Sequence, residues 1–257
     1  MGEVQIGTRL LSFLGSNFGF EVGAVKKSHL LFRGLNYNEF ICHNFFLEMW
    51  LHCIRQSGIS TRNIMTYTLY GSQTSPFVRR LRMLMQDLPY EFQEMNIFEG
   101  QDAVLLNKIN PLNQVPVLKH GEKTIWDSRQ IFQYLNQIHG FESLSWEDEN
   151  LLTAIEGAMA SGIALLMMKR SGMNIEENFM YINRQKDRIE SVLDYLKPWL
   201  SSKASHEWSF SAMSLFSFLE WAMFRSIISI DKRPECQKFL ESHSQRPEVT
   251  ATQIPKV

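Results

Sequence analysis

The amino-acid sequence predicts an α/β + all-α fold, with an α/β module over residues 65–140 and an all-helical module over residues 147–246. Three observations support this prediction. Short strand-like and helical patterns alternate from Met65 to about His139, no strand-like pattern follows the loop "GFESLSWED", and long helical patterns fill most of the remainder. A mixed sheet with packed helices is therefore expected to precede a helical bundle.

The first module is expected to have the element order βαβ-α-ββα. Alternating side chains predict strands in "TYTLYG" and "YEFQEMNI", and a hairpin in "VPVLKHG" and "KTIWD". Helical spacing predicts the intervening helices in "PFVRRLRMLMQD", "GQDAVLLNKIN" and "SRQIFQYLNQIH". Pro76 falls at the first position of the first helix, where its missing N–H costs nothing, and Gly140 ends the third. These patterns predict a small four-stranded mixed sheet.

The second module contains helical patterns only. Its predicted helices lie in "EDENLLTAIEGAMASGIALLMMKRSG", "IEENFMYINRQKDRIESVLDYLKPWL", "SAMSLFSFLEWAMFRSIIS" and "PECQKFLESHSQ".

Residues 1–64 have a different character, since Gly, Asn, aromatic and apolar residues mix there without a sustained period; a helix is expected only over Glu39–Arg55. Three interpretations are open for this extension: a segment that packs on the body of the protein, a targeting segment, or upstream sequence translated from a start codon placed too early. We favour the last, or a poorly ordered extension, because Met65 stands directly before a well-formed strand.

Composition limits the classes of function. With 44% hydrophobic and 21% charged residues the chain resembles an ordinary soluble globular protein, and its net charge of −1 indicates neither a nucleic-acid partner nor an anionic membrane. Three cysteines (Cys42, Cys53 and Cys236) form no CxxC pair, and the seven histidines show no metal-ligand spacing. We expect no metal, no secretory signal, no membrane span and a cytoplasmic location.

Three short motifs in the first module carry chemistry. Ser75 in "TSPFVR" stands immediately before a helix, where its hydroxyl can accept from helix N–H groups or donate to an anionic ligand atom. Val115-Pro116 in "NPLNQVPVL" enters a strand; a cis bond there would leave the main chain of Val115 free to pair with an extended peptide. Ordinary helix capping and a trans proline that starts a strand are the open alternatives.

The third motif is Asp127-Ser128 in "WDSRQIF", at the start of another predicted helix. The Ser128 hydroxyl and nearby N–H groups can hold a carboxylate, and the Asp127 carboxylate can hold an ammonium group. Together they would bind an amino-acid head group. An ordinary Asp/Ser cap is again the alternative.

With "SPFVR", "NPLNQVPVL" and "DSRQI" in this order on a βαβ-α-ββα frame, the chain resembles the glutathione transferase superfamily over about Met65 to Arg246, of the bacterial type with Ser at the active-site position. The resemblance implies a thioredoxin-like domain, a helical domain, glutathione as cosubstrate, a role in detoxification and a homodimer. It implies that Ser75 hydrogen-bonds the glutathione sulfur and favours the thiolate, with Ser72 and Thr74 as competitors for that role.

By the same resemblance, Val115 before a cis Pro116 would pair with the cysteinyl main chain of glutathione. Asp127 and Ser128 would bind its γ-glutamyl group, and Gln114 would approach the same ligand. The thiolate would then attack a small hydrophobic electrophile held between the domains.

Two other functions remain open from the sequence: a non-catalytic binding or regulatory protein of this fold, and a glutathione-dependent thiol reductase or isomerase. Ser rather than Cys at position 75 argues against disulfide exchange. One departure from the family pattern concerns the helix in "FSAMSLF", where Ser211 is expected as the cap and Ser214 stands where relatives have Asp.

Overall fold

The computed structural model of the protein describes residues 66–255. The α/β part comprises four strands and three helices: β1 Tyr67–Gly71, α1 Pro76–Leu84, β2 Tyr90–Glu94, α2 Gly100–Ile109, β3 Val117–His120, β4 Lys123–Trp126 and α3 Ser128–His139. The helical part comprises α4 Trp146–Arg170, α5 Met180–Leu200, a 3-10 turn Lys203–His206, α6 Phe210–Phe224, α7 Pro234–His243 and α8 Pro247–Ala251. The predicted fold class and element order are confirmed.

The four strands form one mixed sheet in the order β2-β1-β3-β4. β1 pairs with β2 in parallel, as the βαβ unit requires, and with β3 in antiparallel register. The β3–β4 hairpin completes the sheet. Because β3 runs antiparallel to β1, the end of β1 lies beside the start of β3. The amino end of α1 therefore lies near the loop that precedes β3.

Helix α1 packs closely onto the end of β1. Its apolar spacing places Val78 and Leu81 in the core against Leu69. A β-carbon at Gly71 would lie 2.6 Å from both γ-carbons of Val78, so glycine is required where the strand meets the helix. This contact fixes the position of the amino end of α1 relative to the sheet.

Helix α6 forms the centre of the helical part and is buried on almost every side. It packs against α1 on one side and against α4 on the other. At the α4 contact, a β-carbon at Gly162 would approach Cζ3 of the buried Trp221 to 2.8 Å. The absence of a side chain at Gly162 therefore makes room for the indole ring between the two helices.

Helices α5 and α6 are shorter than the sequence pattern predicts. α5 begins at Met180 rather than at Ile175: Asn174 Oδ1 accepts from the N–H of Glu176 in a turn, and the chain is still extended at Phe179, the N-cap. α6 ends at Phe224 rather than near residue 229, because Ser226 adopts a left-handed conformation with φ of 52°. The helical pattern of apolar residues runs past both ends, so periodicity alone places these boundaries wrongly.

The predicted cap of α6 is also wrong. Ser209, not Ser211, caps the helix by accepting from the N–H of Ala212 at 3.2 Å. The third helical position is therefore Ala212 rather than Ser214, and it offers no side chain to complete a capping box. Instead the Glu142 carboxylate, in the segment between α3 and α4, accepts from the N–H of Phe210 at 2.9 Å.

The predicted limits of the two domains stay predictions, and the expectations for residues 1–64 lie outside the described residues. Within residues 66–255, only α4 is long and apolar enough to cross a membrane by length and composition, and half of its most apolar window is buried inside the protein. Core helices pass the same test, so this is weak evidence for a span.

Candidate functional site

A cavity of about 1000 Å³ lies between the α/β part and the helical part. The start of α1, the loops before α2 and β3, and the inner faces of α4 and α6 form its walls. Four predicted site residues line it: Ser75, Gln114, Val115 and Asp127. The competitors Ser72 and Thr74 line it as well.

Ser75 is the N-cap of α1, with extended backbone and Pro76 at the first helical position. Its Oγ accepts from the N–H of Val78 at 3.4 Å, and its main-chain N–H donates to the carbonyl of Ser72 at 3.0 Å. A hydroxyl has one donor and two acceptor sites, so this cap leaves the O–H of Ser75 able to donate. Ser72 and Thr74 instead contact each other through their hydroxyl oxygens, which lie 3.1 Å apart.

The peptide bond between Val115 and Pro116 is cis, as the binding hypothesis required. The loop before it is held by Asn110, whose side chain is almost fully buried. Asn110 Nδ2 donates to the carbonyl of Gln114 at 2.6 Å, and its Oδ1 accepts from the N–H of Leu112 at 2.9 Å. One buried amide therefore fixes the main chain that leads into Val115.

Asp127 caps α3 from a left-handed backbone conformation with φ of 65°. Its carboxylate accepts from the N–H groups of Arg129 at 2.8 Å and Gln130 at 3.2 Å. Ser128 lies deeper, with 1% of its surface exposed, and its Oγ accepts from Nη2 of Arg80 at 2.5 Å. Of this predicted pair, Asp127 lines the cavity and Ser128 lies behind it.

Arg80 is a buried cation that the sequence reasoning did not single out. Its guanidinium donates to Ser128, to Ser214 Oγ at 3.1 Å and to Glu156 Oε1 at 2.9 Å. The second oxygen of Glu156 accepts from Arg129 at 2.9 Å. Burial lowers the pKa of Arg80 from its ordinary value, and the Glu156 carboxylate opposes that shift. Arginine stays charged in proteins, and this guanidinium joins α1, α3, α4 and α6.

A sequence signal for Arg80 did exist. It follows Phe77 by three positions and precedes Leu84 by four, so it falls on the apolar face of α1. An arginine on such a face indicates a buried ion pair, because a fully buried charge is stable only with partners. Glu156 and Asn110 carry no comparable local signal, since their partners come from other elements.

The wall opposite Ser75 is largely apolar and includes Ile163, Met167 and Trp221. Of the four methionines in and just after α4, only Met167 lines the cavity; Met159 is fully buried in the core, and Met173 is largely exposed. The methionine stripe thus contributes mainly to packing.

Within residues 66–255, Cys236 is the one cysteine, and it is fully buried away from the cavity. Burial raises the pKa of its thiol to about 11, which keeps the thiol protonated at neutral pH. The same part of the chain contains no group of three or more His, Cys, Asp or Glu side chains placed to hold a metal ion. The described cavity therefore offers hydroxyl, amide, carboxylate and guanidinium groups rather than a protein thiolate.

Comparisons with known proteins show similarity to glutathione transferases. Residues 69–143 match the family model of the glutathione S-transferase N-terminal domain. The uncharacterized GST-like protein YibF of Escherichia coli (strain K12) is 26% identical over 200 residues, which cover 73% of this chain and 98% of that protein. Glutathione S-transferase Z1 of Arabidopsis thaliana is 26% identical over 193 residues, covering 70% of this chain and 87% of that protein.

Solved structures show the same architecture. A glutathione transferase family member from Pseudomonas fluorescens, with bound glutathione, superposes with a TM-score of 0.65 at 24% identity, covering 74% of this chain and 100% of that one. The Tau class glutathione S-transferase of mango superposes with a TM-score of 0.59 at 19% identity, covering 74% and 93%. Residues 69–143 therefore match a glutathione S-transferase N-terminal domain, and the described chain has the same fold as these glutathione transferase structures, a thioredoxin-like domain followed by a helical domain.

Proposed function

We propose that the protein is a glutathione transferase of the bacterial type that uses Ser75 to activate the glutathione thiol for attack on a small hydrophobic electrophile. The observation that carries this proposal is the placement of the Ser75 hydroxyl at the amino end of α1, in the same cavity as Val115 and Asp127. These residues offer a sulfur contact, a main-chain pairing site and a carboxylate for an ammonium group.

The chemistry at Ser75 follows from its position. The amino end of α1 carries unpaired N–H groups and a partial positive charge, which stabilise a nearby anion. The O–H of Ser75 adds a hydrogen bond that a thiolate accepts better than a thiol does. Both effects lower the pKa of a bound thiol from its ordinary value of about 8.5 and raise the thiolate fraction at neutral pH. The thiolate is the form that attacks an electrophilic carbon.

The remaining site residues would hold the tripeptide in place. Val115 would pair its main chain with the cysteinyl residue, next to the cis Pro116, and Gln114 would contact the same ligand. Asp127 would bind the γ-glutamyl ammonium group. Ser128 lies at the first position of α3, where its main-chain N–H has no intrahelical acceptor, and it would donate to the γ-glutamyl carboxylate.

Several similarities support this proposal. YibF is described as GST-like, the Arabidopsis relative is named a glutathione S-transferase, and the Pseudomonas fluorescens structure contains glutathione. A homodimer, a cytoplasmic location and a role in detoxification accompany the proposal as expectations from the same family.

The substitution Ser75→Ala tests the proposal. We expect the variant to bind glutathione but to lose about tenfold or more in kcat/KM with a generic aryl electrophile, since one hydrogen bond to a charged group contributes roughly 1.5–3 kcal/mol. The kinetic pKa of the bound thiol should rise. Calorimetric titration with glutathione and a pH profile of kcat/KM measure these effects.

Two matched controls accompany this substitution. Ser72→Ala and Thr74→Val remove the neighbouring hydroxyls without touching the cap of α1. If either control shows the rise in thiol pKa while Ser75→Ala does not, the role belongs to that residue. If the unmodified protein binds no glutathione at millimolar concentration, the protein is a non-catalytic member of this fold and the proposal is wrong.

A further inference from the structure

Two arginines on the cavity wall pair with no carboxylate of residues 66–255. Arg170 is the last residue of α4, and Arg225 directly follows α6. Both line the cavity that contains Ser75. In the part of the chain that the structure describes, neither forms an ion pair with a carboxylate, whereas Arg80 and Arg129 in the same region do.

Aromatic rings rather than carboxylates support the two guanidinium groups. Arg170 lies over the ring of Phe98 with 5.1 Å between Cζ and the ring centroid, and Arg225 lies 4.8 Å from the centroid of Phe224. Stacking on a ring leaves the N–H groups at the guanidinium edge free to donate. The buried Nε of Arg225 has no acceptor among residues 66–255. A buried donor without a partner is costly, so an acceptor that reaches it is bound favourably.

The two cations line the same cavity. Burial lowers the pKa of Arg225 from its ordinary value, and the nearby charge of Arg170 lowers it further. Arginine nevertheless stays protonated at neutral pH, so the repulsion between the two groups persists in the free protein. A bound anion between them would relieve that repulsion and accept from both side chains.

The acidic residues of the cavity contact groups other than these two arginines. Glu156 bridges Arg80 and Arg129, while Asp127 accepts from N–H groups of α3. Glu94 accepts from the side chain of Gln73. Within residues 66–255, none of these carboxylates pairs with Arg170 or Arg225, so an anion that reaches the two arginines would meet two donors with free N–H groups.

The surface between Ser75 and the two arginines is apolar. Ile163, Ala164 and Met167 of α4 and Trp221 of α6 form it. Such a wall binds a hydrocarbon or aromatic body by burying its surface. The cavity thus combines the proposed position of the glutathione thiolate, beside Ser75, with an apolar wall and two cations, Arg170 and Arg225.

We propose that the electrophile accepted by this cavity is an apolar or aromatic molecule that carries a carboxylate, and that Arg170 and Arg225 bind this carboxylate while the reactive carbon faces Ser75. This inference rests on the proposed function, because it names the class of electrophile for the same site. Arginine suits the task because its planar fork matches the two oxygens of a carboxylate.

Two matched probes test the inference: 4-chloro-3-nitrobenzoate and 4-chloro-3-nitrobenzamide. In both, the glutathione thiolate forms a carbon–sulfur bond at the ring carbon that loses chloride, and the thiol proton passes to solvent. The probes have nearly the same shape and the same leaving group, but only the benzoate is anionic. The ratio of their kcat/KM values, each divided by the uncatalysed rate, measures selectivity for the anion.

We expect the unmodified protein to prefer the benzoate, and Arg225→Met or Arg170→Met to reduce that preference about tenfold, the change that goes with one charge-assisted hydrogen bond. Arg225→Lys should retain part of the preference, because it keeps the charge but not the fork. Arg184→Gln is the matched control. Arg184 is exposed on α5 and does not line the cavity, so the substitution removes one positive charge away from the site. It should leave the ratio unchanged.

The outcomes separate this inference from the proposed function. Turnover of both probes with no preference for the benzoate overturns the anion site and leaves the transferase intact. A loss of glutathione affinity in Arg170→Met or Arg225→Met, with the ratio unchanged, assigns the arginines to glutathione itself and also overturns the inference. Absence of glutathione binding in the unmodified protein contradicts the proposed function first.

Discussion

At the scale of single residues, Glu142 shows how one side chain links distant parts of the chain. Asn136 of α3 holds its main chain on both sides: Asn136 Nδ2 donates to the Glu142 carbonyl at 2.8 Å, and Asn136 Oδ1 accepts from the Glu142 N–H at 3.0 Å. The Glu142 carboxylate then accepts from the N–H of Phe210. The carboxylate thus satisfies the N–H of the first helical residue of α6, which has no acceptor within the helix.

Glu142→Ala should lower the free energy of unfolding by about 1 kcal/mol, the usual cost of losing a cap. Glu142→Gln should retain most of the stability, since an amide oxygen can still accept from Phe210. Chemical denaturation at neutral pH measures both variants. Equal losses in the two would show that the charge, rather than the acceptor, stabilises the start of α6.

The pH dependence of Glu142 has a defined sign. Burial raises the pKa of its carboxyl above the ordinary value, while the hydrogen bond from Phe210 opposes the shift. As pH rises, the unfolded chain loses this proton first, so the folded state loses stability between the ordinary and the raised pKa. As pH rises above about 4, the ordinary pKa of a glutamate carboxyl, the unmodified protein should therefore lose stability relative to Glu142→Gln. A difference that grows in the opposite direction would mean that the ionised carboxylate is stabilised in the folded state.

Local sequence predicts single residues where their partners are local. Ser75, Asp127 and Gly140 each act on the adjacent helix, and their positions as caps follow from helix chemistry. The partner of Glu142 lies in a different element, so no pattern around Glu142 predicts it. The ligand roles of Ser75, Gln114, Val115, Pro116, Asp127 and Ser128 stay predictions until glutathione binding is measured.

At the scale of elements, α4 contains two glycines in opposite environments. A β-carbon at Gly157 would have no neighbour closer than Cδ of Arg188 at 3.9 Å, whereas one at Gly162 would lie 2.8 Å from Trp221. Both glycines occupy helix interiors, where alanine is intrinsically better by about 1 kcal/mol. The two positions therefore separate helix propensity from packing within one helix.

Gly157→Ala should raise the free energy of unfolding by about 0.5–1 kcal/mol. Gly162→Ala should lower it by about 1–3 kcal/mol, because the strain of overpacking exceeds the gain in propensity. Urea titrations of the two variants and the unmodified protein measure this contrast. Stabilisation of both would mean that α4 and α6 separate readily to admit a methyl group at position 162.

Element order could be predicted because strand and helix periods differ along the chain. Boundaries could be predicted only where a cap or breaker marks them, as Pro76 does for α1 and Gly140 for α3. The start of α5 lacks a side-chain cap, and the end of α6 depends on the left-handed Ser226, which no glycine signals. The short helix α8 follows residue 246, where the predicted helical module ends.

At the scale of the whole molecule, a line of ion pairs connects the α/β part to the helical part. Arg80 of α1 contacts Glu156 of α4, and Arg129 of α3 contacts both Glu156 and Glu149. Arg79, next to Arg80, pairs with Glu220 of α6. The cavity lies between the same two parts, so these ion pairs hold its two walls together.

Glu156→Gln should lower the free energy of unfolding by about 3 kcal/mol, because Arg80 would keep a buried charge without a carboxylate. Glu176→Gln is the matched control: its partner Lys186 is partly exposed and Glu176 largely exposed, so the loss should stay within about 0.5 kcal/mol. Thermal and chemical unfolding measure both. If Glu156→Gln is too unstable to purify, the double variant Arg80→Met, Glu156→Gln should recover folding; no recovery would contradict this role for the pair.

Gly71 also limits which amino-acid substitutions the protein tolerates. It contributes no functional group, yet its missing side chain sets how near the end of β1 lies to Val78, one turn from the Ser75 hydroxyl. Random variants selected for activity should therefore accept almost no replacement at position 71, even though no reactant touches it. The position of the Ser75 hydroxyl thus depends on the absence of a β-carbon at Gly71.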